Sequence, residues 1–202
     1  MAKIEFDEAK HLYTVDGVKM PSVTEILNPL TAKHYGEISK EVLRMAAERG
    51  TAVHEQCEIL DYGFDIDEDF PAEWMGYANA YIAFLNDYRP KWTGIEEMVY
   101  CEADGYCGRV DRYGKILGQT AVLDIKTTSA PTKANYMAGA CQTVAYGYAL
   151  KNVEKGFLLY LKKDGGYRLV DCGEWSKKHD FDAEKVWRLC LYLYNETERT
   201  TK

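Results

Sequence analysis

The stretch from Gly108 to Thr128, GRVDRYGKILGQTAVLDIKTT, constrains this chain more than any other. Runs of β-formers surround two aspartates, with Arg109 and Val110 before Asp111 and Ala121 to Leu123 before Asp124. Gly114 and Gly118 lie between the runs and read as the punctuation of a turn or short loop. A strand has a side-chain period of two, so Asp124 and Lys126 point to the same face. If the two strands are neighbours, Asp111 reaches that face as well. Two carboxylates and one ammonium then converge on a small volume. Carboxylate oxygens suit a hard cation such as Mg²⁺ or Mn²⁺, and a lysine beside it would orient or activate a water. Those parts fit metal-assisted phosphodiester hydrolysis. Taken alone, Asp124 and Lys126 fit a surface ion pair on an edge strand equally well.

The rest of the chain supplies a mixed set of elements. Ile4–Phe6 and Leu12–Val15 read as short strands, with Asp16-Gly17 as a hairpin turn into Val18–Met20. Ser22 to Glu25 is a capping-box pattern for a short helix through Leu27, which Pro29 closes. Glu37 to about Leu60 has helical periodicity, carried by Val42, Met45, Ala46, Val53, Cys57 and Leu60, with Gly50 a candidate bend. A second helical stretch runs from Phe70-Pro71 to about Tyr88 and stops at Pro90. Thr93–Glu102, Cys107–Val110 and Ala121–Lys126 follow as strands. A small-residue helix over Ala134–Leu150 places Gln142 and Tyr146 on one face, at i and i+4. Gly156–Leu161 and Tyr167–Val170 form a hairpin around Asp164-Gly165-Gly166, and Asp182 to about Thr197 is a final amphipathic helix. The order predicts an α/β or α+β domain. We expect one domain over residues 1–202, with a β-hairpin and helix extension at about 1–30.

Composition narrows the functional classes. The formal charge is −7, from 25 basic and 32 acidic residues, which argues against a protein that coats DNA without regard to sequence. It leaves room for a local basic groove beside a carboxylate-rich metal site. The acidic cluster of Asp65, Asp67, Glu68 and Asp69 lacks the glycine and terminal glutamate of an EF-hand loop and reads as solvated. The six cysteines show no C-x-x-C pair, so zinc ribbons and thiol redox motifs are unsupported. The polar start, MAKIEFDEAKHLY, resembles neither a signal peptide nor a membrane anchor, and the chain has no run of 18 apolar residues. We expect a cytoplasmic protein with reduced thiols and no membrane partner.

Asp111 followed by Asp124-Ile125-Lys126 resembles the D…(D/E)xK signature of the PD-(D/E)xK nuclease superfamily. Arg49-Gly50-Thr51-Ala52-Val53-His54 is similar to the RG-x-x-x-H segment of its RecB-like and phage-exonuclease branch. Gln142 to Tyr146 is similar to that branch's Q-x-x-x-Y helix, and Thr127-Thr128 matches its frequent D-x-K-T-T ending. These elements occur in the family's order from Arg49 to Tyr146.

The resemblance implies a central mixed sheet flanked by helices, a restriction-endonuclease-like core, with a metal site at one edge. It implies Asp111, Asp124, the Ile125 carbonyl and His54 as ligands of Mg²⁺ or Mn²⁺. Glu97 would complete the shell, in competition with its neighbour Glu96, and Glu58, one turn after His54, would support it. Lys126 would hold the attacking water or steady charge at phosphorus. Gln142 would position that water, Lys126 or the phosphate. Arg49, Arg109, Thr127, Thr128 and Tyr146 are candidate substrate contacts, with core packing as the alternative for Tyr146. Some relatives carry an iron–sulfur cluster on an early cysteine and a tight C-terminal cysteine group. Here that end offers only Cys172 and Cys190, so no cluster is expected. The activity implied is a metal-dependent deoxyribonuclease, in first place an exonuclease of phage-recombination or RecB type, acting on linear duplex or single-stranded ends. A single-strand annealing protein is an implied partner, and homo-oligomers are open. A site-specific endonuclease, a non-catalytic module that keeps the fold, and a small-molecule phosphoesterase are the alternatives.

Overall fold

The computed structural model describes residues 2–8, 10, 12–36, 38–128 and 130–199, with backbone alone at 33–35 and 198–199. Strands β1 (Ile4–Asp7), β2 (Leu12–Val15) and β3 (Val18–Met20) form a three-stranded antiparallel sheet. It turns at Asp16 and Gly17, both at positive φ. Ser22 then caps α1 (Val23–Ile26), and the reciprocal bond between Glu25 and the Ser22 backbone completes the expected capping box. Pro29 does not end the helical run. It falls in the first turn of α2 (Asn28–Gly36), where a missing N–H has no helical partner to lose.

Helix α3 spans Lys40–Asp61 without a break at Gly50. Glu37, the expected start, lies outside the described residues. Only its second half is packed inside, through Val53, Gln56 and Cys57. Val42 and Met45, two apolar positions of the helical pattern, are both 55% exposed. A 3₁₀ turn (Ala72–Trp74) leads into α4 (Met75–Tyr88), which buries Tyr77, Tyr81 and Phe84.

The main sheet has the order β4 (Lys91–Cys101), β5 (Tyr106–Ile116), β6 (Gln119–Lys126), β7 (Lys155–Leu161), β8 (Tyr167–Asp171). Only β6 and β7 are parallel, joined by the crossover helix α5 (Lys133–Leu150). Strand β5 is longer than the sequence implied, because Gly114 is not a turn residue. It sits inside the strand beside the β4 bulge at Trp92/Gly94, and a Cβ there would lie 2.2 Å from the Lys91 carbonyl oxygen. The turn itself is Leu117-Gly118, both at positive φ, as a two-residue hairpin loop requires. Helix α6 (Cys172–Lys178), which sequence periodicity did not reveal, precedes α7 (Ala183–Arg199).

Alternation along the two parallel strands sorts the core into two layers. Leu123, Ile125, Phe157, Leu159 and Leu161 pack with α3 and α4 through Val53, Cys57, Tyr81 and Phe84. Val122 faces the other way, with Cys141 and Tyr146 of α5 and Trp187 of α7. Leu158 and Tyr160 join Ala140 and Cys172 on that side. The chain is thus a mixed α/β fold whose central strands are covered on both faces, as a parallel pair demands. No helix among the described residues is long and apolar enough to cross a membrane.

Candidate metal and catalytic site

The site forms where the main sheet forks. The β5–β6 ladder ends at Arg112↔Leu123. Beyond it, β6 continues beside β7, to Lys126↔Tyr160, and β5 beside β4, to Tyr106↔Cys101, with Cys107 also bridged to Ser22. Side chains take the place of the ladder in the gap. Asp111 Oδ2 accepts the Ile125 N–H at 2.6 Å, and the Ile125 carbonyl oxygen lies 3.1 Å from His54 Nε2. His54 comes from the buried half of α3, and its Nδ1 is 3.4 Å from Glu96 Oε1 and 3.8 Å from Asp111 Oδ2. One ligand atom each from His54, Glu96 and Asp111 lies within 4.8 Å of the others.

Glu96, not Glu97, joins this cluster. Glu97 pairs with Val110, and its carboxylate lies beside Gly94 and the Tyr113 hydroxyl. Glu96 adopts a left-handed backbone, φ 46, just past the β4 bulge, and this re-aims its side chain toward His54. Such a conformation costs a non-glycine residue about 1–3 kcal/mol and persists only where its surroundings enforce it. Here they do so through Arg112, which is fully buried and whose Nη1 donates to Glu96 Oε1 at 2.8 Å. Its Nε donates to Asp61, the last residue of α3. Asp61 also accepts bonds from the Tyr81 hydroxyl and from Trp92 Nε1, the latter at 2.7 Å. Asp61, Arg112, Tyr81 and Trp92 are members of this network that no sequence motif marked. Asp61 lies about two helical turns beyond His54 on the same face, and that spacing was the available signal. Asp61, rather than Glu58, is the acid of α3 that enters this network.

Asp124 occupies the face turned to α5. It is 1% exposed; its Oδ1 accepts from Lys126 Nζ at 2.9 Å, and its Oδ2 is buried with no hydrogen-bond partner. Lys126 Nζ also lies 3.4 Å from Gln142 Oε1, and Gln142 Nε2 donates to the Tyr146 hydroxyl at 3.1 Å. The predicted face of α5 therefore does meet the lysine. Tyr146, however, is 3% exposed and packed in the core. It supports Gln142 and offers no surface to a substrate.

Burial pushes the Asp124 carboxyl up to about 6, against the pull of Lys126 and with a further push from Asp111. Burial opposes the charged form of His54, yet the nearby Asp111 and Glu96 carboxylates outweigh it and raise its pKa. Burial likewise works against the Glu96 carboxylate, but its bonds to His54 and Arg112 hold its pKa below the ordinary value. The His54 imidazole and the Glu96 and Asp111 carboxylates form a donor set that suits Mn²⁺ or Mg²⁺. Asp124, with its unpartnered buried oxygen, stands outside that cluster beside Lys126.

A cleft of about 580 Å³ between α2, α3 and α5 reaches this site at Lys126 and Gln142, while His54, Glu96, Asp111 and Asp124 do not line it. Arg49, Thr127 and Thr128 line it too, together with the apolar Ile38, Val42 and Leu43. Arg49 Nε is buried without a hydrogen-bond partner, and its guanidinium stands 5.7 Å from the centre of the Tyr77 ring. Arg109 is elsewhere, over the Phe6 ring of the small sheet at 5.1 Å, so it does not line the cleft with the other candidates. A larger hollow of about 750 Å³ lies at the opposite end of α5, and none of the expected site residues lines it. The six cysteines are buried and in no disulfide.

No protein-family model and no curated protein matches this chain. Among solved structures, the crystal structure of SSO0001 aligns over 74% of this chain and 77% of that one, at 16% identity and a TM-score of 0.31.

Proposed function

We propose that this protein is a divalent-metal-dependent DNA nuclease of the PD-(D/E)xK type, acting from DNA ends. One observation carries the reading. The fork between β5 and β6 brings His54, Glu96 and Asp111 together at Ile125, next to the buried Asp124, which bonds Lys126, and Lys126 lines a cleft with Arg49, Thr127 and Thr128. His54, Asp111, Asp124, the Ile125 carbonyl and Glu96 would hold the metal. Bound there, a divalent ion would polarise a phosphodiester and make a water more acidic.

The chain's own groups supply the rest. Lys126 is held between Asp124 and Gln142, so its ammonium stays aimed at the cleft and can orient a water or balance charge on the phosphorus oxygens. Gln142, itself fixed by Tyr146, gives that amine a second acceptor beside Asp124. Arg49, with an unpartnered buried Nε, and the Thr127 and Thr128 hydroxyls are placed to bind flanking phosphates. A local site of this kind serves a chain of net charge −7, because only the cleft has to attract the polyanion. Action on DNA in the cytoplasm is part of the proposal. Hand-over of a strand to an annealing protein, and assembly into a homo-oligomer, are further parts of the proposal.

The test is incubation of linear and covalently closed circular DNA with Mg²⁺ or Mn²⁺, with EDTA and Asp124→Ala as controls. Loss of the linear substrate alone is expected. Cutting of the closed circle would make the enzyme an endonuclease. Metal-independent cleavage, or full activity in Asp124→Ala, would remove the metal-nuclease reading.

A further inference from the structure

The buried pair of Arg112 and Asp61 lies outside the cleft and touches no substrate path, yet one arm of the guanidinium ends on the metal cluster. Its Nε donates to Asp61 Oδ2 at 2.5 Å, and its Nη1 donates both to Glu96 Oε1 at 2.8 Å and to the Asp111 carbonyl oxygen at 2.5 Å. Both Arg112 and Asp61 side chains are fully buried. Arg112 therefore fixes the main chain of one presumptive ligand and the side chain of another. Asp61 stands on the same helix as His54, so the arrangement also ties β5 and β4 to the helix that supplies the third.

The geometry points to Arg112 as a positioning residue for the metal site, with Asp61 as the counter-charge that makes it possible. This rests on the metal-binding reading above. A carboxylate on a left-handed backbone, clustered with the Asp111 carboxylate, would swing toward solvent without a buried donor. Arg112 holds it in place and lowers the repulsion inside the metal-free cluster. Asp61 in turn is fixed by Tyr81 and Trp92, so the guanidinium has a rigid seat. A lysine at position 112 would not replace it, because a single ammonium lacks the planar fork that reaches Asp61 and Glu96 together.

Removing Arg112 alone leaves Asp61 charged and unpaired inside the protein, which invites unfolding. The test therefore uses Arg112→Met/Asp61→Asn, which removes both charges while Tyr81 and Trp92 keep an acceptor, and Arg112→Lys as an independent variant. Melting without metal reports folding, and calorimetric titration with MnCl₂ reports the site. Folded variants should bind Mn²⁺ about 10–100-fold more weakly than wild type. Adding Glu96→Gln to either background should cost little more, although Glu96→Gln costs a similar factor in the wild type. Wild-type Mn²⁺ affinity in both folded backgrounds, or full additivity with Glu96→Gln, would reduce Arg112 to a structural ion pair. Should the paired variant not fold, Arg112→Lys alone decides by the same criteria. A wild-type protein that binds no Mn²⁺ would instead remove the metal site, and the role of Arg112 with it.

Discussion

Asp111 stands in for a strand: its Oδ2 takes the Ile125 N–H at 2.6 Å, just beyond the Arg112↔Leu123 pair that closes the β5–β6 ladder. One carboxylate thus serves two ends. It satisfies a buried backbone donor at the fork, and it leaves its remaining lone pairs beside His54 and Glu96. The same gap exposes the Ile125 carbonyl to His54. A continuous ladder would have consumed both backbone groups and left no room for an ion.

The two roles of Asp111 separate by substitution. Asp111→Asn keeps an acceptor for the Ile125 N–H but gives up a charged ligand. Asp111→Ala gives up both and strands a buried donor, at about 1–3 kcal/mol. Both variants should lose Mn²⁺ binding by calorimetry, while only the alanine variant should lose that much stability in chemical denaturation. Equal stabilities would show that the bond to Ile125 contributes nothing to the fold.

Asp124 should make the metal-free protein less stable as pH rises. Its folded pKa, near 6, lies above the unfolded value of about 3.9. The folded state therefore holds the proton more tightly, and this contribution is greatest below about pH 4 and is lost as pH climbs through about 6. The difference amounts to about 3 kcal/mol. Asp124→Asn escapes that penalty, so in EDTA it should exceed wild type in denaturant stability at pH 7 by up to that amount. The gap should close by about pH 4. A variant less stable than wild type at pH 7 would mean that the Lys126 pair outweighs burial.

Much of this was legible in the chain, and the failures have physical causes. The capping box at Ser22 and the i, i+4 pair of Gln142 and Tyr146 are local patterns, and both appear as expected. The expectation that Asp111, Asp124 and Lys126 share one volume rested on strand periodicity plus an assumption of adjacency. Strands β5 and β6 are neighbours, but their ladder stops at Arg112↔Leu123, short of both aspartates, and the direct contact is the one between Lys126 and Asp124. Periodicity fails at Glu96 and Glu97 because the bulge at Trp92/Gly94 and a left-handed residue shift the phase of β4. Nothing in a local window announces a bulge that is held by a glycine, Gly114, on the neighbouring strand. Arg112 and Asp61 were missed for a related reason. Charged residues in sequence read as exposed, and their burial depends on a partner 51 positions away.

The chain of contacts from Tyr146 through Gln142 to Lys126 predicts a graded loss of activity. Lys126→Ala removes the amine and should lower turnover on the order of 10²–10⁴-fold. Its Mn²⁺ isotherm should stay near wild type, since a charged ammonium has no lone pair for a metal. Gln142→Leu loosens the amine and should cost about tenfold, as supporting contacts do. Tyr146→Phe removes only the hydroxyl behind Gln142, with a smaller effect on rate and a stability loss of about 1 kcal/mol. Single-turnover rates on an end-labelled substrate give the order. A Tyr146→Phe rate as low as that of Lys126→Ala would break it, and a lost Mn²⁺ isotherm in Lys126→Ala would make that lysine structural.

His54 should set the acid edge of metal binding. Asp111 and Glu96 outweigh burial and raise its pKa above the ordinary value of 6.5. A charged His54 therefore stabilises the metal-free fold fully below about pH 6.5, and that contribution fades as pH rises through the raised folded value. A ligating imidazole has to be neutral, so protons compete with metal over the same range. Apparent Mn²⁺ affinity in wild type should begin to fall while pH is still above about 6.5. In His54→Ala the affinity should be lower at every pH, because a ligand is gone. Its profile should also stay flat until Asp124 takes up its proton near pH 6. Calorimetric titrations with MnCl₂ from about pH 5.5 to 8.5 compare the two edges, the range being set by the ordinary histidine value. If the curves superimpose in both height and midpoint, His54 binds no metal, and its contacts with Glu96 and Ile125 serve the fold alone.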